Sequence, residues 1–166
     1  EGDTTVSCFG VFDGHGGATC SQWLTENLTH HFASATVWAQ EGLTLKEMLR
    51  GAVEEGLAKA EESFLALAHE TGEMSGACVV FGATVKGLLC VANIGDCQAA
   101  LYRPKAESVS KGERAGDVVK LSVPHRSSDP GELARIQAAG GFVVNKRAFG
   151  MLEPSRSIGD LDVKRY

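Results

Sequence analysis

Apolar residues recur along this chain with two different periods, and the switch between them divides it. Residues 5–12 (TVSCFGVF) are β-branched and aromatic over a short run, which predicts a buried strand. A glycine turn follows. From residue 18 to 32 the apolar positions Trp23, Leu24, Leu28 and Phe32 return every three to four residues, which predicts an amphipathic helix. A second helix is expected over residues 44–70, with Leu45, Met48, Leu49, Ala52, Val53, Leu57, Ala60, Phe64 and Leu67 on its apolar face. Thr44 and Glu47 have the spacing of a capping box at its start. Gly51 and Gly56 weaken this helix without breaking its period. From Gly76 the texture becomes that of a sheet. GACVVFGATV, GLLCVANIG and CQAALYR are short apolar runs separated by Lys-Gly and Gly-Asp, the pattern of consecutive antiparallel strands. Lys86-Gly87 is tight enough for a hairpin.

Beyond that point the signal is more broken. Residues 104–117 (PKAESVSKGERAGD) are polar and are expected to form a surface loop or insert, after which DVVKLSV resumes as a strand. Residues 129–139 predict a short helix: Asp129 can cap it, Pro130 suits its first turn, and Gly140-Gly141 ends it. Residues 142–145 read as a strand and MLEPSRSIGD as a structured loop. With no repeat and no linker, residues 1–166 read as a single α+β domain, helices first and strands afterwards.

Composition narrows the function classes. At 166 residues and 43% hydrophobic the chain can bury one sizeable core. A net charge of -5 offers no basic footprint for nucleic acid, and Lys164-Arg165 is the longest basic group. No apolar run approaches the ~20 residues of a membrane helix, and no charged-then-apolar leader opens the chain. The five cysteines Cys8, Cys20, Cys78, Cys90 and Cys97 include no C-x-x-C pair. Four of them sit in apolar, strand-like or helical surroundings and read as small core residues kept reduced, which favours an intracellular, cytoplasmic or nuclear setting.

The most distinctive chemistry lies in VFDGHGG, residues 11–17. A strand, a glycine turn and a helix also describe a dinucleotide-binding opening, but three details exclude it. Thr19 stands where the third glycine is needed, Asp13 would repel a pyrophosphate, and a helix follows where a parallel strand should be. A P-loop fails for want of Gly-Lys-Ser/Thr. Two readings stay open. One is a tight turn with Asp13 capping it and His15 on the surface. The other starts from the cost of carrying an unpaired carboxylate to the edge of a core. A hard cation such as Mg²⁺ or Mn²⁺ would relieve that cost, a glycine lets a backbone carbonyl approach it, and His15 stays near enough to exchange a proton.

With these residues in hand, the chain resembles the type-2C protein phosphatases of the metal-dependent PPM family. VFDGHGG is that family's most recognisable motif. SGACVVFGATVKGLLCVANIGDCQAALYR is similar to its central segment, with Cys97 and Gln98 where Ser and Arg are usual. LSVPHRSSDPGELARIQAAGGFV is similar to its L-x-x-D-H-K-P segment, with Pro124 and Arg126 in place of Asp and Lys. MLEPSRSIGDLDVK resembles L-x-x-S-R-x-x-G-D-x-x-x-K. The motifs run in the family's order over nearly the whole chain.

The resemblance implies a four-layer α/β/β/α sandwich of two antiparallel sheets flanked by helices, incomplete in this chain. It implies metal-dependent hydrolysis of phosphoserine and phosphothreonine in proteins, a signalling activity, with two Mg²⁺ or Mn²⁺ ions and a water attacking phosphorus in line. By position, Asp13 would bridge the metals, the Gly14 carbonyl would be a further ligand, and His15 would be the general acid. Glu73 is a speculative ligand for a third metal. Arg156 and Asp160 resemble a structural pair near the site, and His125 and Arg135 fall in the flap beside it, to hold the loop or meet substrate. Asp96 is expected as a turn residue, while His30, His31 and His69 fall on solvated helix faces. Phosphoproteins are the implied partners, without nucleic acid or membrane, and a monomer is expected. The family's early arginine and acid, and its later metal-binding aspartates, have no counterpart here. The chain is therefore expected to show little turnover by itself, either as a fragment or as an inactive regulatory scaffold of the same fold.

Overall fold

Strand β1 (Ser7–His15) runs into the glycine turn, and helix α1 (Thr19–Ala33) leaves it, in a computed structural model that describes residues 5–110 and 115–164. A 3₁₀ turn (Thr36–Ala39) leads to helix α2 (Leu45–Thr71), which begins as its sequence predicts. The Thr44 hydroxyl accepts from the Glu47 N–H at 3.3 Å, and Glu47 accepts from the Thr44 N–H at 2.8 Å. Gly72 ends the helix in the left-handed conformation, at φ 76°. Gly56 has a packing duty. A Cβ there would lie 2.9 Å from the Phe32 backbone, so its absence lets α2 cross close to the end of α1.

Strand β2 (Gly76–Val85) is the centre of the sheet, paired antiparallel with β1 on one side and with β3 (Leu88–Ile94) on the other. Lys86 and Gly87 both take positive φ, 45° and 78°, as a two-residue hairpin between right-twisted strands requires. Alternation along β2 splits the sheet into two faces. Ala77, Val79, Phe81, Ala83 and Val85 join the core under Leu24, Leu28, Phe32, Val53 and Phe64 of the two helices. The other face carries Phe9 and Val11 of β1, both more than half exposed. The expectation that residues 5–12 form a buried strand is thus corrected. β1 is an edge strand whose inner side packs on the helices and whose outer side is open.

A second correction concerns strand β4 (Ala100–Pro104), which does not continue the sheet. The chain turns away at Gly95, where φ is 93° and a Cβ would meet the Cys78 Sγ at 2.3 Å. His125 clamps this turn, its N–H donating to the Gly95 carbonyl at 2.8 Å while its Nδ1 accepts the Gly95 N–H at 3.3 Å. Past the turn, β4 pairs antiparallel with β5 (Gly116–Lys120) in a separate two-stranded sheet. Between them, the polar stretch expected as a loop holds a five-residue helix, α3 (Ala106–Ser110). Its residues 111–114 lie outside the described residues.

Helix α4 (Pro130–Ala138) starts at Pro130 as expected, but the Asp129 side chain makes no capping bond. The Asp129 carbonyl instead accepts the Leu133 N–H at 2.8 Å. Short strands β6 (Val143–Val144) and β7 (Arg147–Ala148) form a hairpin, and β8 (Ile158–Gly159) pairs antiparallel with the start of β2. All five cysteines are free. Among the described residues no helix is long and apolar enough to cross a membrane.

Candidate active site

Side chains two apart on a strand share a face, so Asp13 and His15 stand together on the outer face of the sheet, at the end of β1. Gly14, between them, faces inward. A Cβ on it would lie 2.6 Å from the Ser21 Oγ of α1, so glycine at this position also lets the helix start close beneath the strand. Gly16 and Gly17 then take φ values of 67° and 140° to turn the chain. In the antiparallel register Asp13 lies opposite Cys78, and His15 opposite Gly76.

Asp13 is exposed, and none of the ion pairs among the described residues involves it. The premise of a carboxylate caught at the edge of the core is therefore corrected, because the open outer face of β1 leaves it in water. It borders a cavity of about 330 Å³ with His15, Cys78 and Asp96. Arg147, Met151, Leu152, Glu153 and Pro154 also line it. Asp96 sits in the bend after β3 with a hydrogen bond to Cys78, as a turn residue with structural hydrogen bonds should, and it also lines this space. Cys97 sits against the Asp13 backbone, and burial pushes its thiol pKa up.

The imidazole of His15 finds a partner from the far end of the chain. Its Nε2 lies 2.9 Å and 2.8 Å from the two carboxylate oxygens of Asp160. Asp160 is only 4% exposed, and the Ser157 hydroxyl donates a very short hydrogen bond to the same carboxylate. The Asp160 hydrogen bond raises the His15 pKa above its ordinary value, and this outweighs the opposing effect of burial. Gly76 makes room for the pair: a Cβ there would sit 2.4 Å from the Asp160 carboxyl. Gly159 and Asp160 hold φ values of 82° and 54°, which aim that carboxylate back at the strand.

Arg156 and Asp160, expected as a pair, have separate partners. Arg156 donates to Glu132 of α4, from Nη2 at 2.7 Å and from Nε at 2.9 Å. Arg135 donates to Glu132 at 2.9 Å and to the Ser155 carbonyl at 2.7 Å, so it holds the loop. His125 has a like duty at Gly95. Glu73 accepts the N–H groups of Met74 and Ser75 at 3.0 Å and 2.9 Å, and does not border the cavity of Asp13. These bonds hold its carboxyl below the usual range, the Ser75 N–H most of all. His30 and His69 are exposed as expected, whereas His31 leans on the Trp23 ring at 5.8 Å. Sequence reasoning missed the role of Asp160 and the cationic wall at Arg147. The signal available for the first was a Gly-Asp placed where a buried carboxylate would need a cation.

The donor set suits a hard divalent cation in chemistry, though not in number. Asp13, Asp96 and Glu153 line one cavity, and Gly14 follows Asp13 in the chain, so the residue types offer hard oxygen ligands. Among the described residues, no group of three or more His, Cys, Asp or Glu side chains is placed so as to hold a metal ion. A cation bound here would keep much of its shell as water, as Mg²⁺ does.

Residues 1–166 match the protein phosphatase 2C family. A rice protein (Oryza sativa subsp. japonica) named "Probable protein phosphatase 2C 32" is 37% identical over 169 residues, which cover 99% of this chain and 39% of the relative. The integrin-linked kinase-associated serine/threonine phosphatase 2C of Bos taurus is 34% identical over 98% of this chain and 43% of its own length. The chain thus spans about two fifths of these relatives. Among solved structures, the serine-threonine phosphatase 2C from Toxoplasma gondii superposes with a TM-score of 0.79 at 21% identity. That match covers 97% of this chain and 60% of the other, and shows a shared fold. A C. elegans sex determining protein gives a TM-score of 0.78 at 25% identity, over 98% of this chain and 38% of that one.

Proposed function

The chain belongs to the protein phosphatase 2C family, and from that premise we propose that it carries part of the active site of a metal-dependent protein serine/threonine phosphatase. The observation that carries the reading is the placement of Asp13 and His15 on one face of one strand end, bordering one carboxylate-lined cavity. Asp13 and the Gly14 carbonyl would hold Mg²⁺ or Mn²⁺, with water filling the remaining positions. When bound, such cations neutralise charge on a phosphoryl group and activate water at neutral pH.

The chain's own residues do the rest. His15 holds a proton at the cavity edge and gives it to the serine or threonine oxygen that leaves phosphorus. Arg147, which lines the same cavity, brings positive charge to a phosphate bound there. Glu73 has a turn to cap and is not needed for this chemistry. An inactive scaffold would have no use for an exposed carboxylate beside a half-buried histidine held by a buried carboxylate. Substrates of the whole protein are phosphoserine and phosphothreonine side chains of other proteins.

The whole protein, assayed with Mn²⁺ on a phosphothreonine peptide, should release phosphate. Asp13→Ala should reduce that rate by at least about 10³-fold, the equivalent of about 4 kcal/mol of lost transition-state stabilisation. Undiminished hydrolysis by Asp13→Ala, or in excess chelator, would overturn the reading.

A further inference from the structure

The geometry assigns Asp160 as a positioning residue for the reaction, one that grips His15 through Nε2 and leaves Nδ1 as the nitrogen that meets the leaving oxygen. The inference rests on the reading of His15 as the acid and adds which atom carries the proton. Both Asp160 oxygens lie within hydrogen-bond distance of Nε2, at 2.8 and 2.9 Å. An ionised carboxylate accepts and cannot donate, so Nε2 must carry a hydrogen in either charge state of the ring. Among the described residues Nδ1 has no hydrogen-bond partner. The step then balances simply. The Nδ1–H bond breaks as the P–O bond breaks, a new O–H forms on the departing serine or threonine, and the ring is left neutral with its Nε2–H still on Asp160.

Several features of the chain hold this carboxylate in place. Asp160 has φ 54°, a left-handed conformation uncommon outside glycine, asparagine and aspartate. It is fixed there by the pairing of Gly159 with Gly76 and by its own N–H donating to the Ser75 carbonyl at 3.2 Å. The Ser157 hydroxyl occupies the carboxylate from the other side. Lys164, four residues on, is no simple charge balance for it, being committed to Glu61 and to the Ser157 carbonyl. A buried carboxylate held at this much conformational expense, with a histidine as its ionisable partner, has the form of an orienting group.

The test uses the whole protein and two substrates, a phosphothreonine peptide with a poor leaving group and p-nitrophenyl phosphate with a good one. Asp160→Gly suits the positive φ and removes the grip; Ser157→Ala loosens it without touching His15. Asp160→Gly should lower kcat on the peptide about 10- to 100-fold but change p-nitrophenyl phosphate less than about 3-fold, with KM held. Ser157→Ala should move the same ratio the same way by less. Nitrogen-15 NMR of the metal-free wild type should show the His15 proton on Nε2, and Asp160→Gly should let both tautomers appear. Equal loss on both substrates, no loss, or a wild-type neutral ring protonated at Nδ1 overturns the assignment. If Asp160→Gly fails to fold, Ser157→Ala and the wild-type tautomer decide the matter. Should His15→Gln itself not discriminate between the substrates, the acid reading of His15 fails, and the assignment with it. Discrimination by His15→Gln but not by Asp160→Gly sinks only the assignment.

Discussion

Residues 155–160 engage a carboxylate at each end, and the two ends are built differently. At one end Ser155 and Arg156 close on Glu132 of α4, which also takes Arg135. At the other end Asp160 closes on His15 of β1. Around Glu132 the acceptors are filled by donors that are themselves nearly half exposed, with Arg135 and Arg156 side chains at 45% and 44%. Their hydrogen bonds, that of Arg156 above all, hold the Glu132 carboxyl well below the usual range. Nothing in that cluster is left over, and it acts as a strap between helix and loop. Around Asp160 the carboxylate is buried, while its partner keeps one ring nitrogen uncommitted beside a cavity. A saturated network holds; a network with one open valence can react.

Loss of the open valence should give the largest effect. His15→Gln keeps a hydrogen bond to Asp160 but has no transferable proton, so kcat on a phosphothreonine peptide should fall about 10²- to 10⁴-fold. The melting temperature should hardly move; a large drop would make His15 a structural residue instead. Next comes the space for the pair. Gly76→Ala places a Cβ against the Asp160 carboxyl and should cost about 1–3 kcal/mol of stability, with some loss of kcat. Gly131→Ala, which meets nothing within 4 Å, is the control and should be neutral in both. Equal behaviour of the two would show that the Gly76 contact is not a constraint.

The smallest effect belongs to the strap. Glu132→Gln should leave kcat in place and lower stability by about 1 kcal/mol, a value discounted for its half-exposed partners and reduced further by salt. Its pH dependence has a defined sign. Glu132 titrates lower folded than unfolded, so its stabilisation is complete above its ordinary value of 4.5 and is lost as pH falls through the folded value. The stability gap between wild type and Glu132→Gln should therefore be flat near neutrality and close in strong acid. Urea unfolding at a series of pH values measures it, and a gap that widened on acidification would refute the assignment.

Much of the fold could be read from local pattern. Helix α2 declared itself through its period and the Thr44–Glu47 box, the β2–β3 hairpin through Lys86-Gly87, and the turn of the site through Asp13-Gly14-His15-Gly16-Gly17. Other features escaped for identifiable reasons. Strand β4 has the composition of a sheet continuation, but Gly95 turns it away because of Cys78 beneath and His125 above. The outer side of β1 carries Phe9 and Val11, which look like core in any window, yet burial depends on what lies across the sheet. Arg156 and Asp160 are neighbours along the chain, and their separation onto Glu132 and His15 reflects the left-handed turn at Gly159.

That β1 runs on to His15, so that the acid and the imidazole share a face, is seen only in the structure. Sequence alone determined the two long helices, the β2–β3 hairpin, and an acid at the end of a strand with the imidazole two residues on. Those follow from interactions over two to four residues, where strand alternation and helical period leave little freedom. Only the tertiary structure decided that His15 would meet Asp160, 145 positions away. That contact exists because β8 pairs with β2, because Gly76 has no side chain, and because burial leaves the carboxylate in need of a donor. Conditions of that kind reside in the assembled packing, and no local stretch of chain contains them.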